Sequence, residues 1–354
     1  MMKKIKAGIV GYGFMGHCHG EMLGTFDEVV FAAAADTNPE QLKDVPQGVH
    51  AYGTIDEILK TEELDFIIIA TPNPSHLEMV EKSAKAGIHI ICEKPAAMSI
   101  EEFDKMTAAA KENQVIFTVH QQRRWDKDFR IMKEVYDRRL VGDMYVIKSQ
   151  LYGINGNMHD WHIYPEMGGG MLYDWGVHLI DQILFMVDSE IDSVFADVRN
   201  VINRDVDDYF HILIKFKNKI TADMELGTYY LTPKRAWFIG GTGGSAMIDG
   251  FGGEGKIVRT THLLENVPGT ITMTAAGPTR SFGPPAPGLL IEEDLPITNA
   301  EHRQYMVHFL KALHGEEELA VKPEEVRVVL DVMEAVRESA RTGEAVRFKN
   351  NNQR

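Results

Sequence analysis

The sequence contains little cysteine and no long apolar run. Of its 354 residues only Cys18 and Cys92 are cysteines, too few for a disulfide framework and typical of a reducing compartment. No apolar run approaches the roughly 20 residues that a membrane-spanning helix needs. The first residues, MMKKIKAGIVGYG, lack the apolar core of a signal peptide because Lys6, Gly8 and Gly11 interrupt it. We therefore expect a soluble, cytoplasmic protein without a membrane partner.

Positive charge is also scarce. The chain has 37 Lys and Arg residues against 52 Asp and Glu, which gives a formal net charge of −15. This balance disfavours nonspecific binding to nucleic acid or anionic membranes. The length is sufficient for two domains, each with its own core.

Strands alternate with helices in the first third of the chain. The strand segments, such as IKAGIV (5–10) and DFIIIA (65–70), are continuously apolar, which is typical of a parallel sheet buried on both faces. The helical segment at 99–113 begins with Ser99 and Glu102 at the spacing of a capping box. The pattern predicts an α/β fold with a doubly wound Rossmann domain over residues 1–122.

From residue 123 onward most segments alternate between apolar and polar residues. This alternation predicts an α+β domain over 123–354 with an open, mostly antiparallel sheet. We expect its helices at about 126–140, 174–187, 299–314 and 323–342. The segment 265–297 is rich in Gly and Pro, and we interpret it as an excursion from the sheet that serves as a lid or an oligomer arm.

A G-x-G-x-x-G motif follows the first strand. Gly11 allows a tight turn, Gly13 lets the backbone approach a pyrophosphate, and Gly16 lets the next helix pack on the strand. The N–H groups of Phe14 and Met15 then face the phosphates at a helix N-terminus. A plain glycine turn is the alternative, but the strand and helix on either side favour dinucleotide binding.

Asp36 ends the second strand at the distance expected for an acid that binds the adenosine ribose. A carboxylate there would repel a 2′-phosphate, so we predict NAD rather than NADP as the cofactor. A solvated turn aspartate is the alternative. A second glycine cluster, GGTGGSAMIDG (240–250), lies among alternating residues with no helix after it, which indicates a hairpin.

The carboxyl ends of parallel strands meet at one crevice, and two of the loops there carry polar side chains. We expect the following residues to contact the cofactor: Thr71, Asn73, His76, Glu93 and Lys94. Lys94 could also donate a hydrogen bond to a substrate hydroxyl and stabilise a developing alkoxide. A surface pair between Lys94 and Glu93 is equally consistent with the sequence.

The stretch GGGMLYDWGVHLID (168–181) places Asp174, His178 and Asp181 on one stripe of an otherwise apolar helix. A buried polar stripe needs partners, either within the protein or in a wet cavity. A histidine flanked by carboxylates is a natural general base, but a hydrogen-bonded core histidine with an N-cap aspartate explains the pattern too. His159 and His162 have a ligand-like spacing without any accompanying zinc pattern, so we expect no metal.

Four stretches together make the chain resemble the Gfo/Idh/MocA family of NAD(P)-dependent oxidoreductases: GYGFMG, ATPNPSH, CEKP and GGG-x3-D-x-G-x-H-x2-D. The resemblance implies a Rossmann domain followed by a domain whose open sheet forms homodimers or homotetramers. It implies that Lys94, Asp174 and His178 are catalytic. Where many relatives have Trp-Arg before the glycines, this chain has Trp161 and His162.

We therefore expect an NAD-dependent dehydrogenase that oxidises a secondary hydroxyl of a neutral sugar, glycoside or cyclic polyol. His178 would remove the hydroxyl proton as the general base. Asp174 would orient the His178 imidazole or hold a neighbouring hydroxyl, and Lys94 would stabilise the alkoxide. Further substrate contacts are expected from four residues: Arg123, Tyr152, Trp161 and His162. The alternatives are a redox-neutral enzyme that keeps NAD bound while it transfers or cleaves a glycoside, and a non-catalytic NAD-binding protein.

Overall fold

A six-stranded parallel sheet is formed by the first part of the chain. The structure is a computed structural model that describes residues 4–153, 158–260, 271–280 and 288–349. The elements of this part are β1 (Ile5–Val10), α1 (Phe14–Leu23), β2 (Val29–Ala35), β3 (His50–Tyr52), α2 (Ile55–Thr61), β4 (Phe66–Ile69), α3 (His76–Lys85), β5 (His89–Cys92), α4 (Ile100–Glu112) and β6 (Phe117–Val119). The strand order is β3-β2-β1-β4-β5-β6. The chain adds β2 and β3 on one side of β1 and then β4, β5 and β6 on the other. This reversal of direction opens a crevice at the carboxyl ends of β1 and β4.

The apolar strands are buried because helices cover both faces of the sheet. Ile67, Ile68 and Ile69 of β4 are fully buried. Helix α4 begins at Ser99, whose Oγ accepts from the Glu102 backbone N–H at 3.2 Å. This arrangement confirms the predicted doubly wound domain and the predicted start of α4.

A nine-stranded sheet dominates the second part of the chain. Its elements are α5 (Lys127–Asp137), β7 (Met144–Tyr152), α6 (Val177–Met186), β8 (Ile191–Arg199), β9 (Tyr209–Phe216), β10 (Thr221–Gly227), β11 (Trp237–Gly241), β12 (Gly244–Ile248), β13 (Gly255–Thr260), β14 (Ile271–Thr274), β15 (Gly277–Arg280), β16 (Leu290–Glu293), α7 (Arg303–Leu313), α8 (Pro323–Thr342) and β17 (Val346–Arg347). The strand order is β16-β13-β12-β11-β7-β10-β9-β8-β17. Only the β7–β10 pair among the described strands of this sheet is parallel, so the predicted, mostly antiparallel sheet is confirmed.

One face of this sheet is covered by α6 and α8, and the other is open. Along β8 and β9, Ala196 and Ile212 are buried, whereas their neighbours Phe195 and His211 are exposed or half-exposed. The alternation has the period of two expected for a sheet with one solvated face.

The second glycine cluster forms the β11–β12 hairpin, in which Gly241 pairs with Gly244. The predicted hairpin is therefore confirmed. The Gly- and Pro-rich segment contains the β14–β15 hairpin, and it also returns to the sheet, because β16 pairs with β13. The parts of this segment at 265–270 and 281–287 lie outside the described residues, and a role as lid or arm stays a prediction.

The two C-terminal helices join the domains. Phe309 of α7 packs edge-on against Phe66 of β4, with ring centroids 5.1 Å apart. Thr118 of β6 donates to the carbonyl of Val321, just before α8, at 2.8 Å. The domain boundary at residue 122 stays a prediction. Among the described helices, none combines the length and apolar character needed to cross a bilayer.

Candidate functional site

The turn between β1 and α1 requires glycine at two positions. Gly11 has φ of +86°, and a Cβ there would lie 2.5 Å from the Ala70 carbonyl carbon. A Cβ on Gly16 would lie 2.2 Å from the Gly11 carbonyl oxygen, which is closer than real Cβ atoms approach a backbone. At Gly13, in contrast, a Cβ would meet no atom within 4 Å. The turn is therefore closely packed against protein at Gly11 and Gly16, and it is open at Gly13.

The N-terminus of α1 is free to bind an anion. No side chain of the described residues caps it, and its first turn contains no acid. Phe14 is 82% exposed. The orphan N–H groups of a first helical turn attract phosphates when no side chain satisfies them. Together with the open space at Gly13, they fit the pyrophosphate of a dinucleotide.

The Asp36 carboxylate lies beside this turn. Its Oδ2 accepts from the Tyr12 backbone N–H, and its Oδ1 accepts from the Asn38 backbone N–H, each at 2.8 Å. These bonds fix the carboxylate at the end of β2 while it remains half-buried. This position suits hydrogen bonds to ribose hydroxyls, so the residues present fit NAD.

The loop after β4 points several of its predicted cofactor residues into the protein. His76 is fully buried, and its ring nitrogens lie 3.1 Å from the Ala96 carbonyl and 2.8 Å from the Thr71 carbonyl. Asn73 donates to the Met167 carbonyl at 3.0 Å, which ties this loop to the loop before α6. These contacts brace the crevice, and direct contact of Thr71, Asn73 and His76 with the cofactor stays a prediction.

Lys94 meets Asp174 across the crevice. Its Nζ donates to Asp174 Oδ1 at 2.6 Å and to the Asp174 carbonyl at 2.8 Å. The two side chains are 16% and 20% exposed, so the pair is mostly buried but still accessible from the crevice. The alternative of a surface pair between Lys94 and Glu93 is wrong, because Glu93 faces inward. His162 Nε2 lies 4.0 Å from Asp174 Oδ2 on the other side.

Glu93 belongs to a buried hydrogen-bonded group behind Lys94. Its Oε1 accepts from His19 Nε2 at 2.7 Å and from His120 Nδ1 at 2.8 Å. Its Oε2 accepts from the Lys94 backbone N–H at 3.1 Å. Burial raises the pKa of Glu93, but His120 and His19 outweigh it and hold that pKa well below its usual range. The carboxylate is therefore an anion that fixes the backbone of Lys94, and its predicted contact with the cofactor stays a prediction.

The same group also has the composition of a metal site. His19, Glu93 and His120 are the one cluster of possible metal ligands among the described residues. However, both nitrogen–oxygen distances are those of hydrogen bonds, and we interpret the cluster as a hydrogen-bonded network. His159 pairs with its neighbour Asp160 instead of converging with His162 on a common point.

The predicted helix around His178 begins with a π turn. Leu172–Gly176 form this turn, in which the Val177 N–H donates to the Leu172 carbonyl, and α6 follows. Such turns interrupt a helix most often at functional sites. Asp174 lies within the π turn, and His178 lies in the first turn of α6.

His178 is a buried, neutral imidazole. It is 3% exposed, and its Nδ1 lies 3.1 Å from Gln121 Oε1. Burial, and then the positive charges of Lys94 and Arg123, lower the pKa of His178 well below its ordinary value. At neutral pH the ring therefore carries one proton and one free lone pair, as a general base requires.

Asp181 does not share the site with Asp174 and His178. Its carboxylate accepts two bonds from Arg124, from Nε at 2.8 Å and from Nη2 at 2.7 Å. Arg124 also donates to Glu325 at 2.7 Å and to the Ala320 carbonyl at 3.0 Å. This ion pair attaches α6 to α8, so Asp181 has a structural contact that is separate from the contact between Asp174 and Lys94.

Aromatic side chains lie near Asp174 and His178. The Arg123 guanidinium lies 4.1 Å from the centroid of the Trp175 ring, and its Nη1 donates to Asp126 at 3.0 Å. Trp161 stacks on His162 with centroids 3.8 Å apart. Tyr152 is the last residue of β7 and is half-buried. Contact of these residues with a substrate stays a prediction.

Four residues that support the candidate site were not predicted from the sequence: His19, His120, Gln121 and Arg124. Three of them lie in the polar run HQQRR (120–124), which directly follows β6. The position of this run at the carboxyl end of a parallel strand is the signal that could have identified it.

Comparison with known proteins identifies two parts of the chain. Residues 5–121 match a family described as an oxidoreductase family with an NAD-binding Rossmann fold. Residues 129–247 match the GFO/IDH/MocA C-terminal domain. The cofactor prediction is thereby confirmed, whereas the preference for NAD over NADP stays a prediction that depends on Asp36.

Individual relatives agree with this assignment. The crystal structure of an NAD-binding protein from Listeria innocua superimposes with a TM-score of 0.91 at 36% identity and covers 98% of this chain and 100% of that one. The scyllo-inositol 2-dehydrogenase (NADP(+)) IolW of Bacillus subtilis is 26% identical over 95% of this chain and 94% of its own length. The myo-inositol 2-dehydrogenase of Thermotoga maritima is 26% identical, and the match spans 57% of this chain and 60% of that protein. The chain therefore belongs to the Gfo/Idh/MocA family of oxidoreductases, and its residues 5–121 form an NAD-binding Rossmann domain.

Proposed function

We propose that the protein is an NAD-dependent dehydrogenase that oxidises a secondary hydroxyl of a sugar, glycoside or cyclic polyol. The observation that carries this proposal is the pairing of Lys94 with Asp174 beside a neutral, buried His178. These groups lie at the carboxyl edge of the sheet that also holds the glycine turn. The activities named for the Bacillus and Thermotoga relatives, both inositol dehydrogenases, support a polyol substrate.

The chemistry assigned to Lys94 and Asp174 follows from their hydrogen bonds, and that of His178 from its neutral ring. His178 accepts the hydroxyl proton through its free lone pair. Lys94 donates a hydrogen bond to the reacting oxygen and stabilises its alkoxide character. Asp174 holds the Lys94 ammonium in place through the 2.6 Å bond. When bound, NAD would accept the hydride from the carbon that carries the reacting hydroxyl.

A neutral substrate suits the surroundings of this site. The charge of Arg123 is already paired with Asp126 at 3.0 Å, and Lys94 is paired with Asp174. Trp161 and Trp175 offer aromatic faces, which pack well against the C–H faces of a ring. We also propose that the open face of the nine-stranded sheet, which exposes Phe195, forms a homodimer or homotetramer.

A substrate screen tests the proposal. Purified protein is mixed with NAD and a panel of hexoses, glycosides and inositols, and growth of the NADH absorbance band is recorded. A His178→Ala variant should lose most of the rate, whereas His50→Ala, an exposed histidine paired with Glu62, should keep it. Turnover like the wild type in His178→Ala would refute the assigned base.

The screen also distinguishes the two alternatives. Sugar products formed without NADH would show a redox-neutral enzyme that retains its NAD. Measurable NAD binding with no product from any substrate would favour a non-catalytic NAD-binding protein.

A further inference from the structure

Gln121 connects the end of β6 to the proposed general base. It is 1% exposed, and its backbone N–H donates to the Val119 carbonyl at 2.8 Å. This turn directs the side chain toward α6, where Oε1 lies 3.1 Å from His178 Nδ1. Gln121 is thus a buried neutral group in direct contact with the imidazole.

We propose that Gln121 is a positioning residue that holds His178 in the tautomer with hydrogen on Nδ1. An amide oxygen can only accept a hydrogen bond. If Nδ1 of the neutral ring donates to it, the lone pair must lie on Nε2, which then takes the substrate's proton. This inference rests on the proposed function, because it assumes that His178 acts as the base.

The charges around His178 explain why an amide suits this position. The cations Lys94 and Arg123 act on the ring from the loop after β5 and from the turn after β6, and His120 adds to their effect. Glu93 is the opposing anion. An amide orients the ring without adding a second negative charge, so the ring stays unprotonated and ready to accept a proton.

The cost of Gln121 to the fold supports a role in the site. Its Nε2 is buried and has no hydrogen-bond partner among the described residues. A buried donor without a partner disfavours the folded state. An apolar side chain would avoid this penalty, and it would also lose the acceptor that contacts His178.

The tautomer can be observed without turnover. The protein is labelled with 15N-histidine, the His178 signals are assigned with a His178→Gln variant, and the two ring nitrogens are compared at pH 7.5. We expect Nδ1 to carry hydrogen in the wild type and a mixture of tautomers in Gln121→Leu. Hydrogen on Nε2 in the wild type, or an unchanged pattern in Gln121→Leu, would overturn the proposal.

Kinetics separates positioning from a merely structural role. Gln121→Leu should lower kcat by about a hundredfold, as expected when a histidine loses the partner that orients it, with KM little changed. Gln121→Glu keeps the acceptor, so its rate should recover at high pH. Because a carboxylate stabilises the imidazolium, the acid limb of its kcat/KM profile should move to higher pH.

An unmoved acid limb in Gln121→Glu, with equal losses in both variants, would instead indicate a structural role. Circular dichroism shows whether each variant is folded. If His178→Ala kept its activity while the tautomer result held, the proposed function would fail, and the contact between Gln121 and His178 would still stand.

Discussion

A methyl group at Gly13 should separate NAD binding from folding. Gly13 has φ of −75°, which alanine adopts readily, and a Cβ there meets no protein atom within 4 Å. Alanine restricts the unfolded chain but is a slightly poorer N-cap than glycine. These effects oppose each other, so the free energy of unfolding without NAD should change by less than about 1 kcal/mol.

The same methyl group occupies the space through which the pyrophosphate reaches the α1 N-terminus. We expect the Kd for NAD to rise at least tenfold, which corresponds to about 1.4 kcal/mol. At an NAD concentration of about 100 times the wild-type Kd, binding stabilises the wild type by about 2.7 kcal/mol. The same relation gives about 1.4 kcal/mol for Gly13→Ala. The rise in the unfolding midpoint caused by NAD should therefore fall to about half.

Gly16→Ala provides the matched control. Its Cβ would lie 2.2 Å from the Gly11 carbonyl oxygen, so backbone must move, and we expect a loss of about 1–3 kcal/mol without NAD. Thermal unfolding of both variants with and without NAD is the assay. A full NAD-induced shift in Gly13→Ala, or a loss in apo stability equal to that of Gly16→Ala, would refute the reasoning.

Three further predictions concern the site and its support. Lys94→Met should lower kcat by about 10²–10³, measured by growth of the NADH absorbance band at saturating NAD. Arg124→Met leaves Asp181 buried without its partner and should cost about 3–5 kcal/mol in urea unfolding, whereas adding Asp181→Leu should recover most of this loss. Burial lowers the pKa of His76 and His178, so unfolding takes up protons below about pH 6.5. Burial raises the pKa of Asp128 and Asp207 to about 6, which opposes this effect in the same pH range. The urea midpoint should therefore fall more between pH 7.5 and pH 5.5 in the wild type than in His178→Gln, and an equal fall in both would contradict this assignment.

The nucleotide-binding domain could be predicted from the sequence because most of the interactions that define it are local. A strand buried on both faces appears as an apolar run, such as FIII in β4. The glycines at 11 and 16 are required by contacts within one turn and with the adjacent strand. Ser99 and Glu102 mark the start of α4 through bonds three residues apart. Apart from the contact of Gly11 with Ala70 on the adjacent strand, a short stretch of sequence contains each interaction.

The candidate site could be predicted only in part, because its remaining contacts join distant residues. Gln121 meets His178 57 residues later, and Arg124 meets Glu325 201 residues later. The periodicity of apolar residues does not predict which distant side chains will pair. The position of the polar run after β6 places it at the crevice, but the sequence does not distinguish the residue that turns inward, Gln121, from a solvated turn residue.

The π turn explains why three polar residues on one predicted stripe have three separate partners. On a regular α-helix, at about 100° per residue, Asp174 and Asp181 would lie within about 20° of each other. Their carboxylates would then face the same side of the helix, about 10 Å apart along its axis. The π turn at Leu172–Gly176 holds more residues than an α turn, so the residues before α6 are rotated relative to it. Asp174 can therefore face Lys94 while α6 presents its own polar residues to the segment after β6. The sequence determines which residues are polar, and the phase of the helix determines which of them face Lys94.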